Sequence, residues 1–122
     1  MHRRRVLVVE DDRDIAALLT DILETEGYAP VAVSDRSGLD DQLGQPPDLV
    51  VLDLRLTRGN ADSVLKVIRD RGMGDVPVLL LSAASDLPER ARDLGVTSYL
   101  AKPFELDEFL VVVGKLIPDT AR

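Results

Sequence analysis

Asp48-Leu49-Val50-Val51-Leu52-Asp53-Leu54 contains four successive apolar residues followed by a carboxylate. Such a run is typical of a strand that is buried on both faces of a parallel sheet. The proline pair Pro46-Pro47 precedes the run, and the polar segment Thr57-Arg58-Gly59-Asn60 follows it. We therefore predict that Asp53 lies at the carboxyl end of a central strand, where open α/β sheets bind their ligands.

Four other apolar stretches alternate with helical patterns along the chain. We predict strands over residues 6–9, 30–33, 49–53, 76–81 and 98–101. A helix is predicted after each strand, opening at Asp12, over residues 35–44, at Asn60 or Asp62, at Ser85 or Asp86, and over residues 106–117. Because strands and helices alternate, the strands are expected to pair in parallel through right-handed crossovers.

The second predicted strand contains Pro30. A proline has no N–H to donate, and this favours the edge of a sheet. An edge position for this strand fits the flavodoxin-like strand order 2-1-3-4-5. The expected fold class is therefore α/β, a flavodoxin-like (βα)5 three-layer sandwich around a five-stranded parallel sheet.

Helix boundaries are marked by residues with known capping preferences. Asp12 is predicted to cap the first helix, and Gly27 is predicted to end it. Asp86 and Glu89 have the spacing of a capping box at the start of the fourth helix, and Gly95 lies beyond its end. Few residues separate Ser82 from Gly95, so either this helix is expected to be short or the loop before it to be tight.

Length and composition exclude several classes of protein. The 122 residues suit one domain over residues 1–122, with residues 117–122 as a linker or a frayed tail. A formal net charge of −7 argues against a nucleic-acid-binding surface. The absence of cysteine excludes disulfides and thiolate sites. No apolar run reaches the length of a membrane span, so a cytoplasmic protein that does not engage a membrane is expected.

Residues suited to chemistry stand where the predicted strands end. Glu10 and Asp11 follow the first strand, Asp53 ends the third, Ser82 the fourth and Lys102 the fifth. Because parallel strands end at the same edge of a sheet, these side chains are expected to lie together. Neighbouring carboxylates repel one another by roughly 4 kcal/mol per pair at an effective dielectric constant of about 20. Proton uptake or a hard divalent cation such as Mg²⁺ offsets such repulsion.

A carboxylate beside a metal ion and a lysine is suited to attack phosphorus, since aspartyl phosphates are established covalent intermediates. The metal and Lys102 would neutralise the transferring phosphoryl group, and Ser82 would donate a hydrogen bond to it. Taken singly, Asp53 reads as a helix-capping carboxylate and Lys102 as a solvated loop lysine. Their convergence with Glu10 and Asp11 favours the functional interpretation.

The chain resembles the receiver domain of two-component response regulators along nearly its whole length. Four stretches carry the resemblance, namely Val-Leu-Val-Val-Glu-Asp-Asp at 6–12, Pro-Asp-Leu-Val-Val-Leu-Asp-Leu at 47–54, Pro-Val-Leu-Leu-Leu-Ser-Ala at 77–83 and Tyr-Leu-Ala-Lys-Pro-Phe at 99–104. Each stretch alone is a weak signal, but all four occur in order and at strand ends. Together they make the resemblance specific.

The resemblance implies that Asp53 accepts a phosphoryl group from a histidine kinase or a phosphotransfer protein. Glu10 and Asp11 resemble the acidic pair that holds Mg²⁺ together with Asp53 and the main-chain carbonyl of Arg55. The chain would thus phosphorylate and dephosphorylate itself and would not turn over a separate substrate.

Other positions match the parts of the family that transmit the signal. Ser82 resembles the switch hydroxyl, Tyr99 the switch aromatic residue, and Lys102 the lysine that contacts the phosphoryl group. The resemblance also implies a cis bond between Lys102 and Pro103. The face formed by the fourth helix, fifth strand and fifth helix would then meet a second copy or an output partner.

The sequence departs from the family in the loop after Asp53. Thr57-Arg58 stands where the family usually has Pro-Gly, and Ala61 stands where glycine is common. A receiver-like interaction module that is not regulated by phosphorylation therefore remains an alternative.

Two enzyme and ligand-binding classes fit less well. A haloacid-dehalogenase-like phosphatase needs an acid two residues after its nucleophile, and Arg55 occupies that place. A flavin- or nucleotide-binding module needs a phosphate loop after the first strand, where Glu10-Asp11-Asp12 would repel phosphate.

The two ends of the chain carry further patterns. The last predicted helix has two apolar stripes. They suit either a wide core-facing surface or a partly exposed partner surface. The first stripe is formed by Leu106, Leu110, Val113 and Ile117, and the second by Phe109, Val112 and Leu116. Near the amino terminus, Arg3, Arg4 and Arg5 are expected only to solvate the start of the first strand.

Overall fold

Five short strands form one sheet in the computed structural model, which describes residues 3–34, 36–54, 61–83, 85–96 and 98–117. The strands are β1 (Arg5–Val9), β2 (Ala29–Val33), β3 (Leu49–Asp53), β4 (Val78–Ser82) and β5 (Ser98–Ala101). They lie in the order β2-β1-β3-β4-β5, and each neighbouring pair is parallel. The predicted strand order is confirmed, with the proline-bearing strand at an edge.

A helix follows each strand: α1 (Arg13–Thr25), α2 (Arg36–Gln42), α3 (Ala61–Asp70), α4 (Leu87–Asp93) and α5 (Leu106–Leu116). Buried residues of α1 and α5 pack on one face of the sheet. Buried residues of α2, α3 and α4 pack on the other face. The predicted three-layer arrangement is therefore confirmed.

The unbroken apolar run of β3 is explained by these two cores. Successive side chains of a strand point to opposite faces of the sheet. Leu49 and Val51 belong to the core beneath α1 and α5, whereas Val50 and Leu52 belong to the core beneath α2, α3 and α4. A strand that faces two cores needs apolar residues at every position, and the alternation expected of a half-exposed strand is absent.

The ends of α1 agree with the sequence-based prediction. The Oδ1 atom of Asp12 accepts hydrogen bonds from the main-chain N–H groups of Asp14 at 3.0 Å and Ile15 at 3.2 Å. After the helix, Gly27 has a φ of +94°, a conformation that residues with a side chain rarely adopt. Both capping predictions for this helix are confirmed.

The structure differs from the sequence-based prediction at the start of β4 and at the start of α4. Strand β4 begins at Val78, two residues later than predicted, and Pro77 precedes it with only a carbonyl, which accepts a hydrogen bond from the amide of Val50 at 3.0 Å. At α4, Asp86 is the N-cap residue but its side chain makes no capping hydrogen bond. The predicted capping box is therefore wrong, although the helix begins where it was expected and has only 7 residues.

The arginines before β1 do more than solvate it, so that expectation is wrong for two of them. The guanidinium of Arg5 donates to the main-chain oxygens of Gln42 at 3.3 Å and Gln45 at 3.1 Å. Its amide donates to Asp48 at 2.8 Å, and Arg4 lies 3.7 Å from the same carboxylate. Arg5 thereby satisfies carbonyl groups at and beyond the end of α2, which lack partners within the helix.

Helix α5 contributes to the core through residues from both predicted stripes. Phe109 and Val113 are fully buried and Ile117 is 5% exposed. Leu110, Val112 and Leu116 are partly buried, while Val111 is exposed. The core-facing interpretation is confirmed for α5, and a partner surface on its outer side stays a prediction.

Candidate functional site

Three polar side chains are buried in the described part of the chain, and they stand at or directly after the carboxyl ends of three neighbouring strands. Glu10, Asp53 and Ser82 are 4%, 6% and 1% exposed, after β1, at the end of β3 and at the end of β4. No buried side-chain nitrogen or oxygen in the described residues lacks a hydrogen-bond partner. The site is thus a cluster of polar side chains above an apolar core, and the buried polar atoms of these side chains all have hydrogen-bond partners.

Main-chain hydrogen bonds between strands bring the site residues to one level. The amide of Leu54, next to Asp53, donates to the carbonyl of Leu81 at 2.9 Å. The amide of Lys102 donates to the carbonyl of Ser82 at 2.9 Å. These bonds extend the parallel ladder by one residue beyond β3 and β5, so Lys102 leaves the sheet directly beside the end of β4.

Lys102 joins the two buried acids. Its Nζ atom lies 2.7 Å from Oδ2 of Asp53 and 3.4 Å from Oε1 of Glu10. The lysine side chain is 22% exposed, so the ion pair is only partly accessible to water. The parallel order of β1, β3 and β5 thus assembles a carboxylate, an ammonium and a second carboxyl group at one edge.

Glu10 has an ionisation that differs strongly from that of a free glutamate. Its pKa is raised from 4.5 to about 7, mainly by burial and also by the hydrogen bond and negative charge of Asp53, while the Asp12 amide and the Lys102 ammonium act in the opposite direction. The Asp12 N–H donates to Oε2 of Glu10 at 3.2 Å. Near neutral pH, a substantial fraction of Glu10 therefore retains its proton.

The pKa of Lys102 is raised as well. Burial alone would lower it, but the hydrogen bond and charge of Asp53 and the charge of Glu10 outweigh that effect. Lys102 is therefore a permanent cation at physiological pH. A single ammonium beside two carboxyl groups balances one negative charge, and the second is removed in the fraction of molecules in which Glu10 is protonated.

Asp11 and Tyr99 are the other predicted site residues within the described ranges. Asp11 follows Glu10 at the same edge and is partly buried, and Tyr99 lies in β5 and is 44% exposed. The Lys102–Pro103 bond is cis, as the resemblance implied. Arg55, and with it the predicted carbonyl ligand and the Thr57-Arg58 loop, lies outside the described residues.

The acidic edge has a donor set that fits a hard divalent cation. Within residues 3–34, 36–54, 61–83, 85–96 and 98–117, no three or more His, Cys, Asp or Glu side chains are grouped so that they could hold a metal ion. Mg²⁺, however, is typically bound by one or two carboxylates with water completing its shell. Glu10 and Asp53 supply two such groups, and the negative charge of Asp53 is, after burial, one of the causes that raise the pKa of Glu10.

A groove beside Glu10 has no counterpart in the sequence-based prediction. It has a volume of about 330 Å³ and is lined by Glu10, Arg13, Ala16, Ala17, Thr20, Ala32, Val33 and Ser34. The small side chains on α1 and β2 leave this space open. Only the packing of α1 against an edge strand could reveal it, since its residues come from segments about twenty positions apart.

The sequence matches the model of a known protein family, and the fold and the site described above agree with that match. The model of the response regulator receiver domain matches residues 6–113. The chain belongs to the response regulator receiver domain family, whose members act as switches in phosphorylation-regulated signalling.

Relatives of known function are similar over nearly the whole chain. The phosphate regulon transcriptional regulatory protein PhoB of Klebsiella pneumoniae is 36% identical over 111 residues, which are 88% of this chain and 48% of that protein. The response regulator MprA of Mycolicibacterium vanbaalenii is 37% identical over 119 residues, which are 95% of this chain and 51% of that protein. The chain therefore spans about half the length of these relatives.

Solved structures show the same similarity. The non-phosphorylated HemR receiver domain of Leptospira biflexa has a TM-score of 0.81 at 34% identity, with 97% of each chain covered. The receiver domain of the sensor histidine kinase PA1611 of Pseudomonas aeruginosa has a TM-score of 0.83 at 27% identity, with 95% of this chain and 98% of that chain covered. The latter structure contains a magnesium ion in its active-site cleft.

No helix in the described residues combines the length and the apolar character that crossing a membrane requires.

Proposed function

We propose that Asp53 accepts a phosphoryl group from a histidine kinase or a phosphotransfer protein, and that this modification switches a protein-interaction face. The contact between Lys102 and Asp53 carries the proposal. A buried carboxylate at the end of a central strand, 2.7 Å from an ammonium, is held in place by that contact. It stands at the sheet edge where α/β folds carry out their chemistry.

The transfer is a displacement at phosphorus. An oxygen of the Asp53 carboxylate forms a bond to the phosphorus of a phosphohistidine, and the phosphorus–nitrogen bond breaks with its electron pair returning to the imidazole. The product is an acyl phosphate on Asp53. Attack by water on phosphorus later releases inorganic phosphate and restores the carboxylate. The domain thus acts on itself and turns over no separate substrate.

Lys102 and the acids divide the work of neutralising charge. Lys102 contacts Asp53 before transfer, and its ammonium is then positioned to donate to an oxygen of the new phosphoryl group. Glu10, Asp11, Asp53 and the main-chain carbonyl of Arg55 are proposed to hold Mg²⁺, which when bound neutralises charge on the transferring group. Because a carboxyl group must lose its proton to bind a metal, Glu10 would release the proton that it holds near neutral pH.

Signal transmission would begin at Ser82. Its side chain is buried at the end of β4, whereas Tyr99 on the neighbouring strand is 44% exposed. Phosphorylation adds about two negative charges and strong acceptor oxygens, to which the Ser82 hydroxyl would donate. Movement of Ser82 toward the phosphoryl group would leave space into which Tyr99 turns, and this would change the face formed by α4, β5 and α5.

The proposed setting follows from the relatives. Their names describe transcriptional and response regulators, and we propose a second copy of this domain or an output partner as the occupant of the α4, β5 and α5 face. Residues 1–122 are proposed to form one receiver domain, acting in the cytoplasm without contacting nucleic acid itself.

Phosphoryl transfer is tested by intact-mass measurement. The purified domain is incubated with acetyl phosphate in the presence of Mg²⁺ or of excess EDTA. Wild type is expected to gain the mass of one phosphoryl group only with Mg²⁺. The matched control is Asp53→Asn, which keeps the shape of the side chain but lacks the nucleophilic carboxylate, and it is expected to gain none.

Two results would overturn the proposal: no added mass on wild type with Mg²⁺, or equal labelling of Asp53→Asn. The first would favour a receiver-like interaction module that is not regulated by phosphorylation. The second would place the modification on a different residue.

A further inference from the structure

A side chain of α3 holds the far end of α4. Arg69, in the last turn of α3, donates from Nη2 to the main-chain oxygen of Leu94 at 2.6 Å. Leu94 is the C-cap residue of α4. The last carbonyl groups of a helix lack partners within it, and a positive charge there is favoured by the helix dipole. Arg69 therefore caps α4 from a neighbouring helix.

The turn after α4 is shaped to accept this contact. Gly95 has a φ of +73°, and a Cβ atom added there would lie 3.4 Å from Nη2 of Arg69. The amide of Gly95 donates to the main-chain oxygen of Arg92 at 3.0 Å, and the amide of Val96 donates to that of Ala91 at 2.9 Å. Glycine thus both permits the left-handed turn and leaves room for the guanidinium beside it.

The amino end of α4 lacks a side-chain cap within the described residues. The side chain of the N-cap residue, Asp86, makes no capping hydrogen bond, and Pro88 in the first turn has no N–H. The first helical hydrogen bond joins the amide of Arg90 to the carbonyl of Asp86 at 2.9 Å. Leu87 is buried and is the main apolar contact at this end.

The two ends of α4 face opposite edges of the sheet. The amino end begins five residues after Ser82, at the carboxyl edge that carries Asp53 and Lys102. The carboxyl end leads through Gly95 and Val96 into the start of β5, at the opposite edge. The amino end of α4, which has no side-chain cap, therefore lies near the acidic cluster, and the carboxyl end, which Arg69 caps, lies away from it.

We infer that Arg69 anchors the carboxyl end of α4 to α3. Helix α4 therefore tilts about Gly95, and its amino end moves more than its carboxyl end. The anchor goes beyond the function proposed above and does not depend on it, because the Arg69–Leu94 contact is present in the unphosphorylated chain. Arg69 is a positioning residue in this arrangement and takes no part in chemistry.

Amide hydrogen exchange measured by NMR tests the anchor without any ligand. In wild type, the amide of Arg90 is expected to be less protected than those of Gly95 and Val96, after correction for intrinsic exchange rates. Arg69→Met keeps the length of the side chain but removes its donor. It is expected to lower the protection of Gly95 and Val96 by about tenfold or more, the effect of losing a charged hydrogen bond.

Arg71→Met is the matched control, since it removes the same charge at the same end of α3 but breaks an exposed contact with Asp40 at 3.1 Å. It is expected to change the protection of Gly95 and Val96 by less than about twofold relative to a core amide such as that of Val51. A general loss of stability would lower the protection of all three amides together.

The inference is overturned if Arg69→Met and Arg71→Met lower the protection of Gly95 and Val96 equally. It is also overturned, without any variant, if Arg90 is as protected in wild type as those two amides. The variant Arg69→Lys is a further test of the contact, because it keeps the positive charge at position 69. A lysine presents one donor group in place of a planar fork, so partial recovery of protection is expected.

Discussion

The pKa of Glu10 depends on burial and on the charged groups of the site. It is 4% exposed, and its pKa of about 7 arises first from burial and then from the adjacent Asp53. Lys102 lies closer to Asp53 than to Glu10, at 2.7 Å against 3.4 Å, so it compensates Asp53 more fully. Of these two acids, Glu10 would therefore gain more from an additional cation.

The raised pKa makes the stability of the metal-free domain depend on pH. The folded chain keeps a proton on Glu10 that the unfolded chain releases above 4.5, so this stabilisation is complete below 4.5 and is lost as the pH rises through about 7. At about 1.4 kcal/mol per pKa unit, the loss is on the order of 3 kcal/mol. We expect urea unfolding in EDTA to show this decline between acidic and mildly alkaline pH.

Glu10→Gln provides the reference for that measurement. Glutamine has nearly the same shape, donates a hydrogen bond as the protonated acid does, and does not titrate. The difference in unfolding free energy between Glu10→Gln and wild type should therefore grow with pH. Parallel curves for the two proteins would show that Glu10 does not hold the proton assigned to it.

At the scale of the helix, two aspartates in equivalent positions behave differently. Asp12 and Asp86 are both N-cap residues, but only Asp12 accepts hydrogen bonds from the first turn of its helix. Asp12 has an extended backbone with ψ of 113°, whereas Asp86 has ψ of 21°. A capping side chain reaches the first-turn amides from the extended conformation, so backbone geometry decides between them.

This difference predicts unequal effects of removing the two side chains. Asp12→Ala is expected to lower the free energy of unfolding by about 1 kcal/mol, because two first-turn amides lose their acceptor. Asp86→Ala is expected to lower it by less than about 0.5 kcal/mol, as for an exposed surface change. Urea denaturation of the two variants side by side measures both, and equal losses would contradict the assignment of Asp86 as an inactive cap.

At the scale of the whole molecule, one sheet separates two apolar cores. Leu79 and Leu80 are neighbours in β4 and both are fully buried, yet Leu79 packs beneath α1 and α5 while Leu80 packs beneath α2, α3 and α4. The three central strands, β1, β3 and β4, are shared by both cores. Loss of either core removes the support of the strands that carry Glu10, Asp53 and Ser82, so the domain is expected to unfold as one unit.

Substitutions in the two cores test that expectation. Leu79→Ala and Leu80→Ala are each expected to lower the unfolding free energy by about 2–5 kcal/mol, from lost burial and the cavity left behind. Each should still unfold in a single transition, with circular dichroism and tyrosine fluorescence coinciding. Val111→Ala, at a position that is 57% exposed, is the control and is expected to change stability by less than about 0.5 kcal/mol. Separate transitions for the two probes would show that the cores are independent.

The sequence by itself determined the element order, the parallel sheet and the strand-end residues of the site. Those features depend on local signals: apolar runs long enough to face two cores, helical periodicity between them, and polar residues directly after each run. Alternating strands and helices leave few possible topologies, so Asp53, Ser82 and Lys102 were predictable as neighbours.

Only the tertiary structure decided which of these side chains touch and how strongly they interact. The pKa of Glu10, the unused cap at Asp86, the Arg5 contacts with the end of α2, and the Arg69–Leu94 contact all join or depend on residues placed by packing. Arg69 and Leu94 are 25 positions apart, and no local pattern links them. Distances of a few tenths of an ångström and degrees of burial set these energies, and they exist only once the helices are packed on the sheet.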